Sequence, residues 1–333
     1  MRDIREFNLL PYNTFGINVS CRRFLEFSSV DEAQLLADQL RCQQEPYIIL
    51  GQGSNILLTE DFKGTVVHSA LKGIKQCGSQ LICGSGEKWD DVVAYCVDNH
   101  LYGAENLSLI PGEVGASVVQ NIGAYGVEVK DLVSKIEAIE IPTGCIKELS
   151  NADCQYAYRQ SRFKGEWKNR YLITHVSYQL SNTFEPHLEY GNIKSELEQR
   201  GICHPTAVQL RQLIIDIRRS KLPDYHVTGN AGSFFMNPVV NRAKFEELLK
   251  TYPNMPHYYI DENSEKIPAG WMIDMCGWKG RSLGRAGVHD KQALVLINRG
   301  GASGQEILDL CHAIQSDVRE KFGIDIYPEV NII

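Results

Sequence analysis

The usual signatures of metal and membrane chemistry are missing from these 333 residues. No window approaches the roughly 18 uninterrupted apolar residues of a membrane-spanning helix, so no insertion into a bilayer is expected. The opening Met1-Arg-Asp-Ile-Arg-Glu6 is charged and has no apolar stretch, which argues against a cleaved secretion signal. Ten cysteines are scattered from Cys21 to Cys311 without one C-x-x-C pair, and the nine histidines contain no H-E-x-x-H. A zinc ribbon and a zinc hydrolase site therefore lose support, and no metal is expected. Reduced thiols filling small apolar sites are the better reading, which makes the cytoplasm the expected compartment. Acidic residues outnumber Lys and Arg by 41 to 34, a formal net charge of −7, and this disfavours nucleic acid as a partner. A familiar nucleotide-binding motif is absent as well: there is no G-x-x-x-x-G-K-[ST].

What the chain does contain is glycine in unusual concentration. Pro111–Gly126 reads P-G-E-V-G-A-S-V-V-Q-N-I-G-A-Y-G, with few side chains that would hold a helix or fill a core. Glycine loses backbone entropy on folding, so such a run needs a reason. Close approach to a ligand is one: main-chain N–H groups can then donate to anionic oxygens. A surface loop rich in turn residues is the other. A second run, Gly51-Gln-Gly-Ser-Asn55, follows the apolar Tyr47–Leu50. It lacks the third glycine of G-x-G-x-x-G and no periodic helix follows, so a Rossmann site is poorly supported. Gly84-Ser-Gly86 fails the same test, since position 89 is tryptophan. Two glycine-rich loops far apart in sequence could clasp a pyrophosphate without a helix N-terminus, or could be unrelated tight turns.

Around these loops the pattern mixes α and β, and fits an α+β assembly better than strict βαβ alternation. Ser29-x-x-Glu32 is a capping box before a helix over 33–40, and 46–50 reads as a buried strand. Strands are expected at 81–83, 135–141 and 171–180, and helices at 89–101, 208–219 and 242–250. Ser303-x-x-Glu306 opens a last helix that carries Ile307, Leu310, Cys311, Ile314, Val318 and Phe322, with Gly323 to end it. Residues 324–333 then read as a strand interrupted by Pro328.

Several side chains stand out against this background. Arg159, in Tyr156-Ala-Tyr-Arg-Gln-Ser161, could stack, pair with a carboxylate, or grip a substrate carboxylate with its fork. Gly229-Asn-Ala-Gly-Ser-Phe-Phe-Met-Asn-Pro238 places Ser233 beside two phenylalanines that would exclude water. That serine could hold a turn or donate a proton. Glu329, between Pro328 and Val330, is either an edge-strand charge or a site carboxylate. Arg218-Arg-Ser-Lys221 ends a helix, where cations suit the macrodipole, though the cluster could also receive a diphosphate.

In this order the segments resemble the UDP-N-acetylenolpyruvoylglucosamine reductase (MurB) family. The resemblance runs through Asn13-Thr-Phe-Gly-Ile17, Gly51-x-Gly-Ser-Asn55, Ile110-Pro-Gly112, Gln120-Asn-Ile-Gly-Ala-Tyr-Gly126 and Tyr158-Arg159. It continues through Lys221-Leu-Pro223, Gly229-Asn-Ala-Gly-Ser-Phe-Phe235, Asn237-Pro238, Gln292–Asn298 and Pro328-Glu-Val330, and so covers nearly the whole chain. It implies an FAD-binding fold of the vanillyl-alcohol-oxidase (PCMH) type, built of two subdomains plus a C-terminal α+β substrate-binding domain. On that basis residues 1–67 and 68–222 are the FAD-binding subdomains, 223–322 the substrate domain, and 323–333 a closing strand that contributes to the active site.

The resemblance also implies site residues. FAD, bound non-covalently, would be held by Gly51, Gly53, Ser54, Asn55, Gly112, Gly115, Ser117, Gln120, Asn121, Ile122 and Gly123. Leu188-Glu-Tyr-Gly191 resembles the tyrosine loop of the longer subtype and would put Tyr190 on the substrate diphosphate, while Lys221, Asn237 and Gln292 match substrate-contact positions. Arg159, Ser233 and Glu329 match the catalytic residues. The implied activity is NADPH-dependent reduction of UDP-N-acetylglucosamine enolpyruvate. Two departures stand out: Ser117-Val-Val119 where many relatives carry Ser-x-Pro-Ile, and the charge of Asp290-Lys-Gln292. Valine keeps an N–H that proline lacks.

Overall fold

The computed structural model describes all 333 residues and folds as two compact units. The first comprises Met1–Phe7, Ser20–Gln52 and Phe62–Arg218; the second, Asn8–Val19, Gly53–Asp61 and Arg219–Ile333.

In the first unit, a four-stranded sheet runs in the order Arg2–Asn8, Ser20–Phe27, Phe62–Ser69, Tyr47–Leu50, and the last two pairings are parallel. Helix α1 (Val30–Cys42) crosses between them and buries Ala33, Leu36, Ala37 and Leu40 at helical spacing. Its N-cap Ser29 accepts the Glu32 N–H at 3.2 Å. The reciprocal half of the capping box does not close, because Glu32 accepts instead from the Ser28 N–H and the N-terminal ammonium.

The other sheet of this unit is antiparallel, in the order Cys145–Ser150, Val133–Glu140, Tyr171–Gln179, Gln80–Gly84, Ile74–Cys77. Tyr171–Gln179 is buried almost throughout because both of its faces are covered. Leu172 enters the core beneath α1, while Ile173, Val176 and Tyr178 enter a larger one. That larger core includes Trp89 and Val93 of α2 (Trp89–Asp98) and Val118 of α3 (Val114–Gln120). Helices α4 (Ile193–Gln199) and α5 (Ala207–Lys221) close a satellite core through Leu197, Leu210 and Ile214.

In the second unit, Gly229–Ser233, Val295–Asn298, Ala286–Val288 and Ser282–Leu283 form one antiparallel sheet. Val239–Asn241, Ser264–Lys266 and Tyr258–Asp261 form a second. Helices α6 (Arg242–Thr251), α7 (Ala269–Met275) and α8 (Gly304–Phe322) complete the unit. α8 has both halves of its capping box, and Gly323 ends it at φ +63. The expected terminal strand is much shorter than 324–333. Only Asn331–Ile332 is a strand, paired in parallel with Ile56–Leu57, and an isolated bridge joins Pro328 to Phe235. Pro328 has no N–H to continue a ladder.

Candidate cofactor and active site

The run at Pro111–Gly126 is not the bare loop its composition suggests. Val114–Gln120 is helical, because Val114 and Val118 are fully buried and anchor it in the large core. Packing outweighs the poor helix propensity of glycine and β-branched residues. Much of the segment's backbone is already committed within the protein: Gly112 N–H donates to Gln52 Oε1 at 3.0 Å, Gly115 N–H to the Ser85 carbonyl, and Ser117 N–H to the Glu113 carbonyl. Ser117 is buried, and its hydroxyl donates to the Val114 carbonyl at 2.7 Å. Val118 and Val119, at the departure from the family pattern, lie inside this helix.

The structure joins the first glycine of the earlier run to this segment. A Cβ at Gly51 would lie 3.0 Å from Ala116 Cβ and 3.2 Å from Glu113 Oε2. Glu113 is tied in turn to buried His68, whose ring nitrogens face Glu113 Oε1 at 3.2 Å and Glu26 Oε2 at 3.0 Å. No local motif marked His68, since its partners come from residues 42 and 45 positions away.

Arg159 is fastened to the end of the same segment. α3 stops at Asn121, which is left-handed and fully buried. The Asn121 Nδ2 donates to the Ala157 carbonyl at 2.9 Å. Residues 157–160 form a tight turn with Ala157 and Gln160 bonded to each other, and Arg159 sits in it at φ +55. Its Nη2 donates to the Gly123 carbonyl at 2.7 Å, and its guanidinium carbon lies 5.3 Å from the Tyr158 ring centroid. Lys164 Nζ bridges Gln120 Oε1 and the Arg159 carbonyl, at 2.9 Å each. Gln120, Asn121, Gly123 and Arg159 are thus one hydrogen-bonded assembly. A positive φ at a non-glycine residue is a local strain that surrounding bonds must hold.

Tyr190 belongs to the same unit, half exposed, with its Cβ 3.3 Å from where a Gly126 Cβ would stand. Buried Asn106 fixes this approach by donating to the carbonyls of Tyr125 and His187, each at 2.9 Å. Asn106 carries no sequence signal.

In the second unit the Gly53 turn is pressed against Tyr12–Thr14. A Cβ on Gly53 would lie 2.0 Å from the Tyr12 carbonyl oxygen, and Thr14 N–H donates to the Gly53 carbonyl at 3.1 Å. The Gly53 and Asn55 N–H groups are given to no protein acceptor. Asn55 also approaches Glu329, its Nδ2 lying 3.4 Å from the Glu329 carbonyl. Glu329 N–H donates to the Phe234 carbonyl at 2.8 Å, so its backbone lies against that of the residue following Ser233. Ser233 is exposed at the end of its strand, directly before the buried pair Phe234 and Phe235. Asn237 and Gln292 meet at the start of α7: Asn237 Oδ1 accepts the Ala269 N–H at 2.9 Å, and Gln292 Oε1 lies 3.2 Å from a Cβ position on Gly270. Lys221 is exposed at the end of α5. No group of three or more His, Cys, Asp or Glu side chains is placed to hold a metal ion.

Comparison with known proteins decides the family. Residues 223–333 match the profile of the UDP-N-acetylenolpyruvoylglucosamine reductase C-terminal domain, and residues 22–150 match an FAD binding domain. The UDP-N-acetylenolpyruvoylglucosamine reductase of Bacteroides fragilis (strain YCH46) is 52% identical over 335 residues, covering 99% of each chain. This chain belongs to the UDP-N-acetylenolpyruvoylglucosamine reductase family. The reductase of Flavobacterium johnsoniae is 44% identical over 98% of each chain. The crystal structure of the MurB reductase from Thermus caldophilus shares the fold, with a TM-score of 0.69 at 20% identity over 99% of this chain and 98% of that one.

Family membership makes the chain an FAD-dependent oxidoreductase. The structure fits that cofactor. Gly53 and Asn55 offer unspent main-chain N–H groups in a glycine turn, the kind of donor that a pyrophosphate takes. The N–H groups of Gly112, Gly115 and Ser117 are by contrast given to acceptors of the protein itself.

Proposed function

We propose that this chain reduces the enolpyruvyl ether of UDP-N-acetylglucosamine to UDP-N-acetylmuramate, a peptidoglycan precursor, with electrons from NADPH. FAD, when bound, supplies the two-electron relay between NADPH and the enolpyruvyl ether. The Gly51–Asn55 turn and the Gly112–Gly123 segment would hold it, the first through main-chain donors and the second through a helix-and-turn frame.

The chain's own residues meet the demands of the second half of the reaction. When a C–H bond forms at the terminal vinyl carbon, negative charge moves through the adjacent carbon into the carboxylate. A fixed positive charge there stabilises the transition state more than the ground state. Arg159 suits this role, since its guanidinium is pre-oriented by the Gly123 carbonyl and by Tyr158. Glu329 is its proposed partner in polarising the enolic species, and Ser233 gives the proton that completes the second C–H bond. A serine hydroxyl is a weak acid, but a carbanion-like carbon is a strong base, and positioning supplies much of the difference. Tyr190, Lys221, Asn237 and Gln292 are proposed to hold the sugar nucleotide, with residues 223–322 as the substrate domain and 323–333 closing onto it.

The backbone bond from Glu329 to Phe234, the residue after Ser233, supports this reading. A protein that only stored a flavin would need neither an acid nor a carboxylate there. Both substrates are polar phosphate esters, and no helix is long and apolar enough to cross a membrane, so we place the reaction in the cytoplasm. The test is direct. The purified, FAD-supplemented protein should show a flavin spectrum and consume NADPH only when the enolpyruvyl sugar nucleotide is present. A colourless protein, or NADPH consumption indifferent to that substrate, would overturn the reading.

A further inference from the structure

The two arginines that end α5 are not alike. Arg219 is exposed, as a cation serving only the helix dipole would be. Arg218 has its Nε buried with no hydrogen-bond partner. Burial, the first cause, holds its guanidinium below the usual arginine range. A buried guanidinium nitrogen without a partner, on a half-buried side chain, is a costly feature for a fold to keep, and such features concentrate at functional sites.

The chain does not complete this cation itself. Asp90 lies in its field but is gripped by Arg211, with bonds of 2.7 and 3.1 Å. The other charged or titratable groups acting on it are the Tyr125 phenol and the guanidinium of Arg159, which repels it. The surroundings are built with care. Tyr125 is held at φ +50, its carbonyl accepts from Asn106, and Tyr190 packs on the adjoining Gly126. Two guanidiniums and two tyrosines of one unit are therefore grouped where Arg159 and Tyr190 are already proposed to meet substrate.

We propose that Arg218 is a second substrate-holding cation, which takes an oxyanion of the sugar nucleotide on its unpartnered Nε edge. This rests on the reading of the chain as a reductase of a UDP-sugar enolpyruvyl ether. The shared chemistry is a resonance-delocalised oxyanion, and the substrate carries two such groups, the diphosphate and the enolpyruvyl carboxylate. Arginine's planar fork suits either.

The experiment uses the full chain with FAD bound, as parent, Arg218→Met and Arg218→Lys. Calorimetric titration would measure affinity for UDP and for the enolpyruvyl UDP-sugar, and rapid mixing would follow FAD reduction by NADPH. Losing a hydrogen-bonded charge contact should weaken the enolpyruvyl substrate roughly 10- to 100-fold in Arg218→Met, with Arg218→Lys between it and the parent. FAD reduction by NADPH should stay within about twofold, a bound set well inside that loss. The ligand-free thermal midpoint should hold or rise in Arg218→Met, because a buried nitrogen without a partner has gone. An equal loss of UDP affinity assigns the contact to the diphosphate; unchanged UDP affinity assigns it to the carboxylate. Substrate affinity unchanged in Arg218→Met, equal slowing of both half-reactions, or a lowered melting point with affinity intact would each overturn the proposal. Failure of the parent to reduce the substrate would instead refute the reductase reading, before any variant is made.

Discussion

Substituting Gly53 by alanine tests whether backbone approach, rather than turn flexibility, explains the first glycine run. Two glycines of the second unit share a left-handed backbone, Gly16 at φ +66 and Gly53 at φ +71. A Cβ on Gly16 would meet nothing within 4 Å, whereas one on Gly53 would lie 2.0 Å from the Tyr12 carbonyl oxygen and 2.8 Å from Asn13 Cα. Gly16→Ala therefore carries only the conformational cost, about 1–2 kcal/mol. Gly53→Ala carries that cost and also forces backbone from backbone, about 1–3 kcal/mol by analogy with overpacked cores. Separation would break the Thr14 to Gly53 hydrogen bond as well, worth about 0.5–1.5 kcal/mol. The Gly53 variant should thus lose on the order of 3–6 kcal/mol, a large share of a typical folding free energy. Thermal melts should place Gly16→Ala within roughly 5 °C of the parent and Gly53→Ala roughly 10 °C or more below it. Flavin absorbance after gel filtration should fall only in the second. Equal melting points for the two variants, within about a degree, would refute the argument from close approach.

Ser233→Ala should leave FAD reduction by NADPH nearly intact while slowing reoxidation by substrate roughly 100-fold or more, read by stopped flow; equal slowing of both steps would remove Ser233 from proton transfer. Arg159→Lys should slow the same second step on the order of 100-fold, since a point charge cannot both grip the Gly123 carbonyl and present a fork. A loss seen only in substrate affinity would assign Arg159 to binding alone. Glu105 is buried, and desolvation, the largest cause, raises its carboxyl above the ordinary range; Oε2 accepts from the Gly103 N–H while Oε1 has no partner. A carboxyl raised in the folded state takes up its proton more readily there, so its penalty is absent in acid and grows as pH rises from the unfolded pKa through the folded one. Glu105→Gln should therefore stabilise the protein by about 1 kcal/mol at neutral pH, with the gain fading below the unfolded pKa, as denaturant melts at several pH values would show. A constant difference across pH would contradict this.

How much could be read in advance depended on how local each cause is. α8 was legible to the residue, because its capping box, its apolar spacing and Gly323 all lie within it. The closing strand was overestimated, since its partner is two residues at Ile56–Leu57. α3 was missed because Val114 and Val118 hold it from outside, against a core assembled from distant strands. The proposed site residues stood out as a set only through resemblance. Their order in the chain carried that information, while composition left Arg159, Ser233 and Glu329 open to ordinary structural roles. Arg218 was unreadable for another reason: nothing in Arg218-Arg219 says which arginine burial will claim.

The route of the backbone has a consequence for how the molecule is made. The second unit takes Asn8–Val19 and Gly53–Asp61 from the beginning of the chain and everything else from Arg219 onward. Leu9, Phe15, Ile17 and Leu57, all fully or almost fully buried at the end, leave the ribosome long before the strands that cover them exist. Phe15 waits for Phe234, and Ile56–Leu57 waits for the far later Asn331–Ile332. Premature termination anywhere in the final third should therefore yield an aggregating product rather than a functional amino-terminal fragment. The Gly53 turn, one half of the proposed cofactor cradle, precedes Ile56–Leu57 and so acquires its supporting sheet only after Asn331–Ile332 is made.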